Sequence, residues 1–446
     1  MGHMQHTQAN ASGVAVPVAV EKSFAVTQAT WRFYANDRVT PQALVAPLQQ
    51  FAREQIAGLT VPSNTNATVP DSNATTISDD TATGLPYVLA VVDWSKIDYK
   101  KHTAKHDVVQ VSHKQDIGYD LTTQLLVNAQ NGQPIAPIQM LLKTVAGTLS
   151  TTTSEPQANE HHLEQMLPLM REAEDMKFSA TLIHVIDREA DSVFHLRQWN
   201  AAGLKFLVRG DDDRIVRWRG EHVMIRKIKA QLEVEGAFRP SRNVTIQGKP
   251  GVQYVAEAEI ILDRPAKRKV NGRSVLVPGE AITLRLVMAK VVDPVTEKEL
   301  AVWHLLTNVT SEVSSATAAL WYYWRWNIES YFKLMKSGGQ ELEHWQQESG
   351  LAILKRLLVA SMAVALVWHL QRDESAESAE FQQVLVRLSG KRLKRGRPPT
   401  PGILLSGLFV LLRIFDFLSH LDFDLNKIHS LKNTFEKLLP GMIKFV

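Results

Sequence analysis

Residues 321–336 read Trp-Tyr-Tyr-Trp-Arg-Trp-Asn-Ile-Glu-Ser-Tyr-Phe-Lys-Leu-Met-Lys. At about 100° per residue, one helix would place Tyr322, Arg325, Glu329, Lys333 and Lys336 within an arc of about 80°. Trp321, Trp324, Ile328, Phe332, Leu334 and Met335 point mostly elsewhere. A lone carboxylate in a stripe of cations and a phenol suits chemistry on an anion. The same stripe also suits a solvated face, because Glu329 and Lys333 have the spacing of an ordinary i,i+4 ion pair. Other parts of the chain shift that balance. Asp93 follows the apolar run Tyr87–Val92, and Asp187 follows the run 180–186. Carboxylates at strand ends of an open sheet lie where ligands usually bind. Oxygen ligands without cysteine suit Mg²⁺ or Mn²⁺. Three carboxylates can hold two such ions about 3.5–4 Å apart, where they activate water and stabilise the leaving oxygen of a phosphodiester. Nearby basic residues would meet phosphates. Either aspartate alone also fits a turn or a helix cap, so the combination of all three carries the reading.

The elements that must position these groups are legible in outline. Tyr87–Val92, 180–186 and 204–208 are continuous apolar runs, as expected of strands buried on both faces. They end at Asp93, Asp187 and Arg209. Segments 119–128 and 134–142 flank Asn131-Gly132, a strong hairpin signal. Residues 158–177 have helical spacing, residues 214–305 are largely β in pattern, and the remainder is helical. Residues 24–58 are helical in period, and 61–84 read as a linker. The run Leu357–Leu370 is too short to span a bilayer and suits a buried helix.

The 446 residues carry a net charge of +4 and no cysteine. Disulfides and thiolate metal sites are therefore excluded. With 22% charged and 45% hydrophobic residues, the chain is a folded protein of two or three domains. The pI near 9.0 permits a nucleic-acid partner without demonstrating one. Residues 1–4 look like a cloning remnant, and no secretion signal is visible.

The spacing of Tyr322, Arg325, Glu329 and Lys336 resembles the signature of bacterial DDE transposases of the insertion-sequence-four family. Asp187-Arg188-Glu189 resembles the family's second-aspartate motif, and Asp93 its first aspartate. The resemblance covers roughly residues 28–440. It implies an α/β fold, with an RNase H-like catalytic core interrupted by a mostly β insertion and flanked by helical N-terminal and C-terminal regions. The implied division is a tag remnant and disordered start (1–22), a helical region and linker (23–84), the first part of the core (85–210) and the insertion (211–305). The signature helix (306–345) and a helical DNA-contact and dimerisation region (346–446) follow.

By the same resemblance, Asp93, Asp187 and Glu329 are catalytic metal ligands for two Mg²⁺ or Mn²⁺ ions. Tyr322, Arg325, Lys333 and Lys336 contact the transposon-end backbone, and Arg188 and Arg209 touch DNA near the cleavage site. Trp303 matches an aromatic that stacks on a flipped base; as a residue it fits a core aromatic equally well. The implied partners are double-stranded DNA, both terminal inverted repeats and target, and a second copy of the chain, with no membrane. The implied location is the bacterial cytoplasm, at the nucleoid. The expected activity is metal-dependent cleavage at transposon ends followed by strand transfer. The alternatives are a catalytically silent DNA-binding inhibitor and an RNase H-like nuclease without strand transfer.

Two basic tips are further candidates for phosphate contact: 391–398, resembling a minor-groove hook, and 267–273. His102, His106, His113, His161 and His162 lack the spacing of a zinc site. The chain departs from the family pattern at Trp94, where a small hydroxyl residue is frequent. It departs again in residues 5–27, which hold one lysine and no arginine where a basic end-recognition domain is usual.

Overall fold

The computed structural model describes residues 20–59, 86–246, 248–270, 273–337, 340–393 and 396–419. The expected disordered start up to residue 19, the linker 61–84, residues 271–272 of one basic tip, and Gly338 and Gly339 lie outside the described residues. So do Lys394, Arg395 and the chain beyond 419, which held part of the expected dimer surface. The chain divides into two compact units. One comprises Met1–Asn36, Leu334–Leu342 and His369–Val446; the other comprises Asp37–Lys333 and Glu343–Trp368.

The larger unit is a mixed α/β structure. Two helices, α1 (Val20–Ala35) and α2 (Pro41–Ala57), precede it in the chain, and α2 belongs to it. Thr40 caps α2 by accepting from Ala43 N at 3.2 Å, and Pro41 occupies the first turn, where a missing N–H costs nothing. Its strands begin with β1 (Tyr87–Asp98), β2 (Val109–Gln110), β3 (Ile117–Asn128), β4 (Pro134–Thr144) and β5 (Gly147–Ser150). Helix α3 (His162–Asp175) leads to β6 (Thr181–Ile186), and α4 (Val193–Ala201) leads to β7 (Phe206–Arg209).

The expected insertion supplies β8 (Ile215–Trp218), β9 (Glu221–Met224), α5 (Ile225–Val234), β10 (Arg239–Ile246) and β11 (Lys249–Leu262). It continues through β12 (Ala266–Val270), β13 (Arg273–Val277), β14 (Ile282–Val292) and β15 (Glu299–Thr307). The main sheet runs β5-β4-β3-β1-β6-β7-β15-β14-β11-β8-β9, with β10 joined to β11 and β2 to β3. Strands β12 and β13 form a separate ribbon. The insertion therefore extends the sheet: β15 pairs antiparallel with β7, Leu305 opposite Arg209.

Strand β1 lies between β3, antiparallel, and β6, parallel. That central place explains its unbroken apolar run, since Val88 to Val92 are all 0% exposed. One expectation fails here. Asp93 does not end its strand. β1 continues to Asp98 because β3 stays paired with it, from Asp93 opposite Thr123 to Asp98 opposite Gly118. What ends at Val92 is the parallel ladder with β6, whose last pair is Val92 and Ile186.

The remaining helices are α6 (Ser315–Trp324), α7 (Trp326–Ser337), α8 (Gly350–Arg372), α9 (Ala376–Leu388) and α10 (Pro401–Ser419). The single helix expected over 321–336 is two, meeting at Arg325. At the junction Arg325 N bonds Tyr322 O at 3.1 Å and Ile328 N bonds Arg325 O at 3.1 Å, so the chain tightens into i→i+3 turns. Helix α8 is longer than the apolar run suggests. Its 23 residues are long and apolar enough to cross a membrane, and 83% of its most apolar window is buried within the protein.

Candidate active site

Asp93 and Asp187 each stand one residue beyond the last pair of the β1–β6 parallel ladder. Parallel register alone makes them neighbours. Asp187 caps a short 3-10 turn, Arg188–Ala190, by accepting from Glu189 N at 2.8 Å. Asp93 Oδ1 accepts from Trp94 N at 2.8 Å. Each aspartate thus keeps the local turn or cap bond that its type favours, and each still has a second oxygen.

The third carboxylate arrives on α7, and the β3–β4 hairpin fixes that helix and its predecessor. Trp321 Nε1 donates to Ala129 O at 2.9 Å, and Asn327 Nδ2 donates to Gly132 O at 2.9 Å. Gly132 has φ +72°, and a Cβ there would lie 2.3 Å from the Trp324 indole. Only glycine satisfies both the turn and the ring. The Asn-Gly turn was legible in the sequence, but its role as a seat for α6 and α7 was not. No local signal links residue 132 to residue 324.

Arg325 joins the carboxylates. Its Nη1 donates to Asp93 Oδ2 at 2.7 Å, and its Nη2 donates to Glu329 Oε1 at 2.6 Å. The guanidinium is 7% exposed, and its Nε has no hydrogen-bond partner among the described residues. Tyr322 lies beside it, with the guanidinium carbon 5.8 Å from the ring centre. Burial works against the charge on Arg325, but Tyr322, Asp93 and Glu329 outweigh it, and the net effect raises its pKa. Burial pushes Asp93 up to about 6 despite the ion pair with Arg325, and Asp187 and Glu329 add to that rise. Desolvation therefore outweighs the single cation at Asp93. The Tyr322 phenol is also raised, chiefly by burial.

The donor set suits a hard divalent cation: three carboxylates and no thiolate. Burial of the Asp93 charge, with repulsion from Asp187 and Glu329 added to it, is the cost such an ion would offset. Among the described residues, however, no three carboxylate or imidazole groups are gathered closely enough to hold a metal ion. The Arg325 nitrogens stand between Asp93 and Glu329, in the role of the cation.

Arg188 is exposed, directly after Asp187. Arg209 ends β7, close enough to Tyr322 for its charge to oppose the burial that raises that phenol. Lys333, exposed, and Lys336, half-buried, follow Glu329 along α7. Trp303 lies in β15 and is 8% exposed, its ring centre 6.3 Å from that of Tyr322. In this conformation it is a core aromatic, and base stacking would require the ring to be uncovered. Trp94 stacks on His162 at 5.0 Å and 16°, and His162 Nε2 lies 2.5 Å from Asp120 Oδ2. This buttress beside Asp93 was missed in the sequence, where His162 read only as a poor zinc ligand.

No family model matches the sequence, and no curated protein matches it. Among solved structures the chain is similar to a piggyBac transposase synaptic complex with hairpin DNA, determined by cryo-EM. The TM-score is 0.28 and the identity 8%, over 82% of this chain and 59% of that one. The chain thus spans less than two thirds of that protein's length. The site is read from its own residues.

Proposed function

We propose that the chain is a DDE transposase, cutting DNA at transposon ends in a metal-dependent reaction and transferring the freed strand into target DNA. One observation carries the reading: Asp93 and Asp187 stand side by side at the end of the parallel ladder, and Arg325 bonds both Asp93 and Glu329. The strand order β4-β3-β1-β6-β7, antiparallel up to β1 and parallel from β1 to β7, supports an RNase H-like core. Asp93, Asp187 and Glu329 would hold Mg²⁺ or Mn²⁺, which when bound supplies an activated water and charge neutralisation at the leaving oxygen.

The chain's own residues supply position and field. Arg325, Lys333 and Arg188 present donors to a phosphodiester, and orientation together with preorganised charge accounts for most of the rate in such transfers. The Tyr322 phenol stays protonated, so it can donate a hydrogen bond to a phosphate oxygen without adding negative charge. Held in this way, the freed 3′-OH can attack a second phosphodiester in the same site. Two copies of the chain bridging two DNA ends complete the proposal.

The test is strand cleavage of a labelled duplex carrying the DNA that flanks this gene, with Mg²⁺, comparing wild type with Glu329→Ala. Metal-dependent 3′-OH ends and joined products from wild type alone support the transferase. Cleavage without joined products supports a plain nuclease, and binding without cleavage supports an inhibitor.

A further inference from the structure

Strand β10 carries a cation that no described residue neutralises. A bulge between Pro240 and Arg242 sets Ser241 and Arg242 against the single residue Gln253 of β11. Bulges re-aim side chains, and this one gathers donors. Ser241 Oγ donates to Gln253 Oε1 at 3.1 Å, which occupies the amide oxygen. Gln253 is 0% exposed, and its Nε2 has no partner among the described residues. Arg242 is half-buried, and its Nε and Nη2 are likewise without an acceptor among the described residues. Its guanidinium carbon lies 5.9 Å from the ring centre of Tyr323. Burial pushes Arg242 down to about 10, and the Tyr323 phenol is the one titratable group acting against that fall.

An unpaired buried cation is costly, and an apolar side chain of similar volume would fit such a place at less cost. Buried polar groups are normally paired, so a half-buried guanidinium with no acceptor among the described residues calls for one from outside them. A guanidinium only donates, and its charge makes that partner an anion. The position narrows it further. Tyr323 precedes Arg325 by two residues and follows Tyr322, so Arg242 borders α6, the helix that leads into Arg325.

We propose that Arg242 is a phosphate-binding site for the DNA backbone, separate from the carboxylate group. The assignment rests on the DNA reading above. The guanidinium fork matches two phosphate oxygens, and a contact of this kind positions the duplex without reading its sequence.

The experiment measures duplex binding by fluorescence anisotropy across a salt series for wild type, Arg242→Met and Arg242→Lys. In parallel, melting temperatures are measured with and without millimolar inorganic phosphate. Loss of one phosphate contact should weaken Arg242→Met about five- to tenfold at 0.1 M salt, for any sequence, and reduce the log–log salt slope by about 1. Arg242→Lys should retain the slope and part of the affinity. Inorganic phosphate should raise the melting temperature of wild type but not of Arg242→Met, whose own melting temperature should not fall. Wild-type affinity and slope in Arg242→Met would overturn the site and leave the DNA reading standing. A wild type that binds no duplex would overturn the DNA reading and this assignment with it, and a phosphate shift that survives Arg242→Met would overturn the anion site itself.

Discussion

Arg325 Nη1 donates to Asp93 Oδ2 at 2.7 Å across 232 residues of sequence, while Nη2 of the same guanidinium holds Glu329. The pair locks two of the three candidate metal ligands onto one organic cation. Any ion entering between them competes with Arg325. A phosphate that draws Arg325 away therefore favours the ion, and by reciprocity the ion favours the phosphate.

Arg325→Gln should bind Mn²⁺ more tightly than wild type when DNA is absent, by roughly tenfold, the factor set by a coupling of ~1–3 kcal/mol. Electron paramagnetic resonance of free Mn²⁺ measures it directly. Equal affinities would mean that the guanidinium does not occupy the ion's place.

Glu329→Ala should fold and bind duplex as wild type does, because its side chain is 38% exposed and, among the described residues, bonds Arg325 alone. Cleavage should fall by roughly 10³-fold or more. Unchanged cleavage would remove Glu329 from the site.

Asp93 titrates near 6 in the folded chain, well above an ordinary carboxylate. Folding therefore favours its protonated form. The stability this group contributes is fully present below the unfolded value and is lost as pH rises through about 6. Without metal, wild type should gain about 1 kcal/mol between pH 7 and pH 5 relative to Asp93→Asn, read from urea midpoints. A parallel pH dependence in the two proteins would contradict the burial of this charge.

Gly132→Ala should destabilise the larger unit by ~1–3 kcal/mol, since the added methyl meets Trp324 at a residue of positive φ. It should also loosen the seat of α6 and α7 and slow cleavage more than Mn²⁺-free duplex binding. Thermal melting together with the cleavage assay separates the two effects.

The sequence made some of this visible and hid the rest for physical reasons. Buried strands show as apolar runs, so β1, β6 and β7 were placed within a few residues, and helical periodicity placed the stripe that carries Arg325 and Glu329. The extension of β1 past Asp93 was hidden because polar residues 93–98 are held by pairing with β3, which composition does not record. The break at Arg325 was hidden because a tight i→i+3 turn keeps nearly the same side-chain order as a helix. Trp94 on His162 and Arg242 beside Tyr323 are contacts between distant segments, and no spacing rule reaches them.

The hydrogen-bonded seam between Arg209 and Leu305 has a consequence for the history of this chain. Sequence numbering suggests a cassette, spliced into a pre-existing core and removable from it. The seam makes the cassette a tenant that has become a wall. Excising residues 211–307 would strip β7 of its antiparallel neighbour and leave a raw edge, ready to pair with another copy of the chain. A minimal version of this protein would need a replacement strand before it needed a new active site.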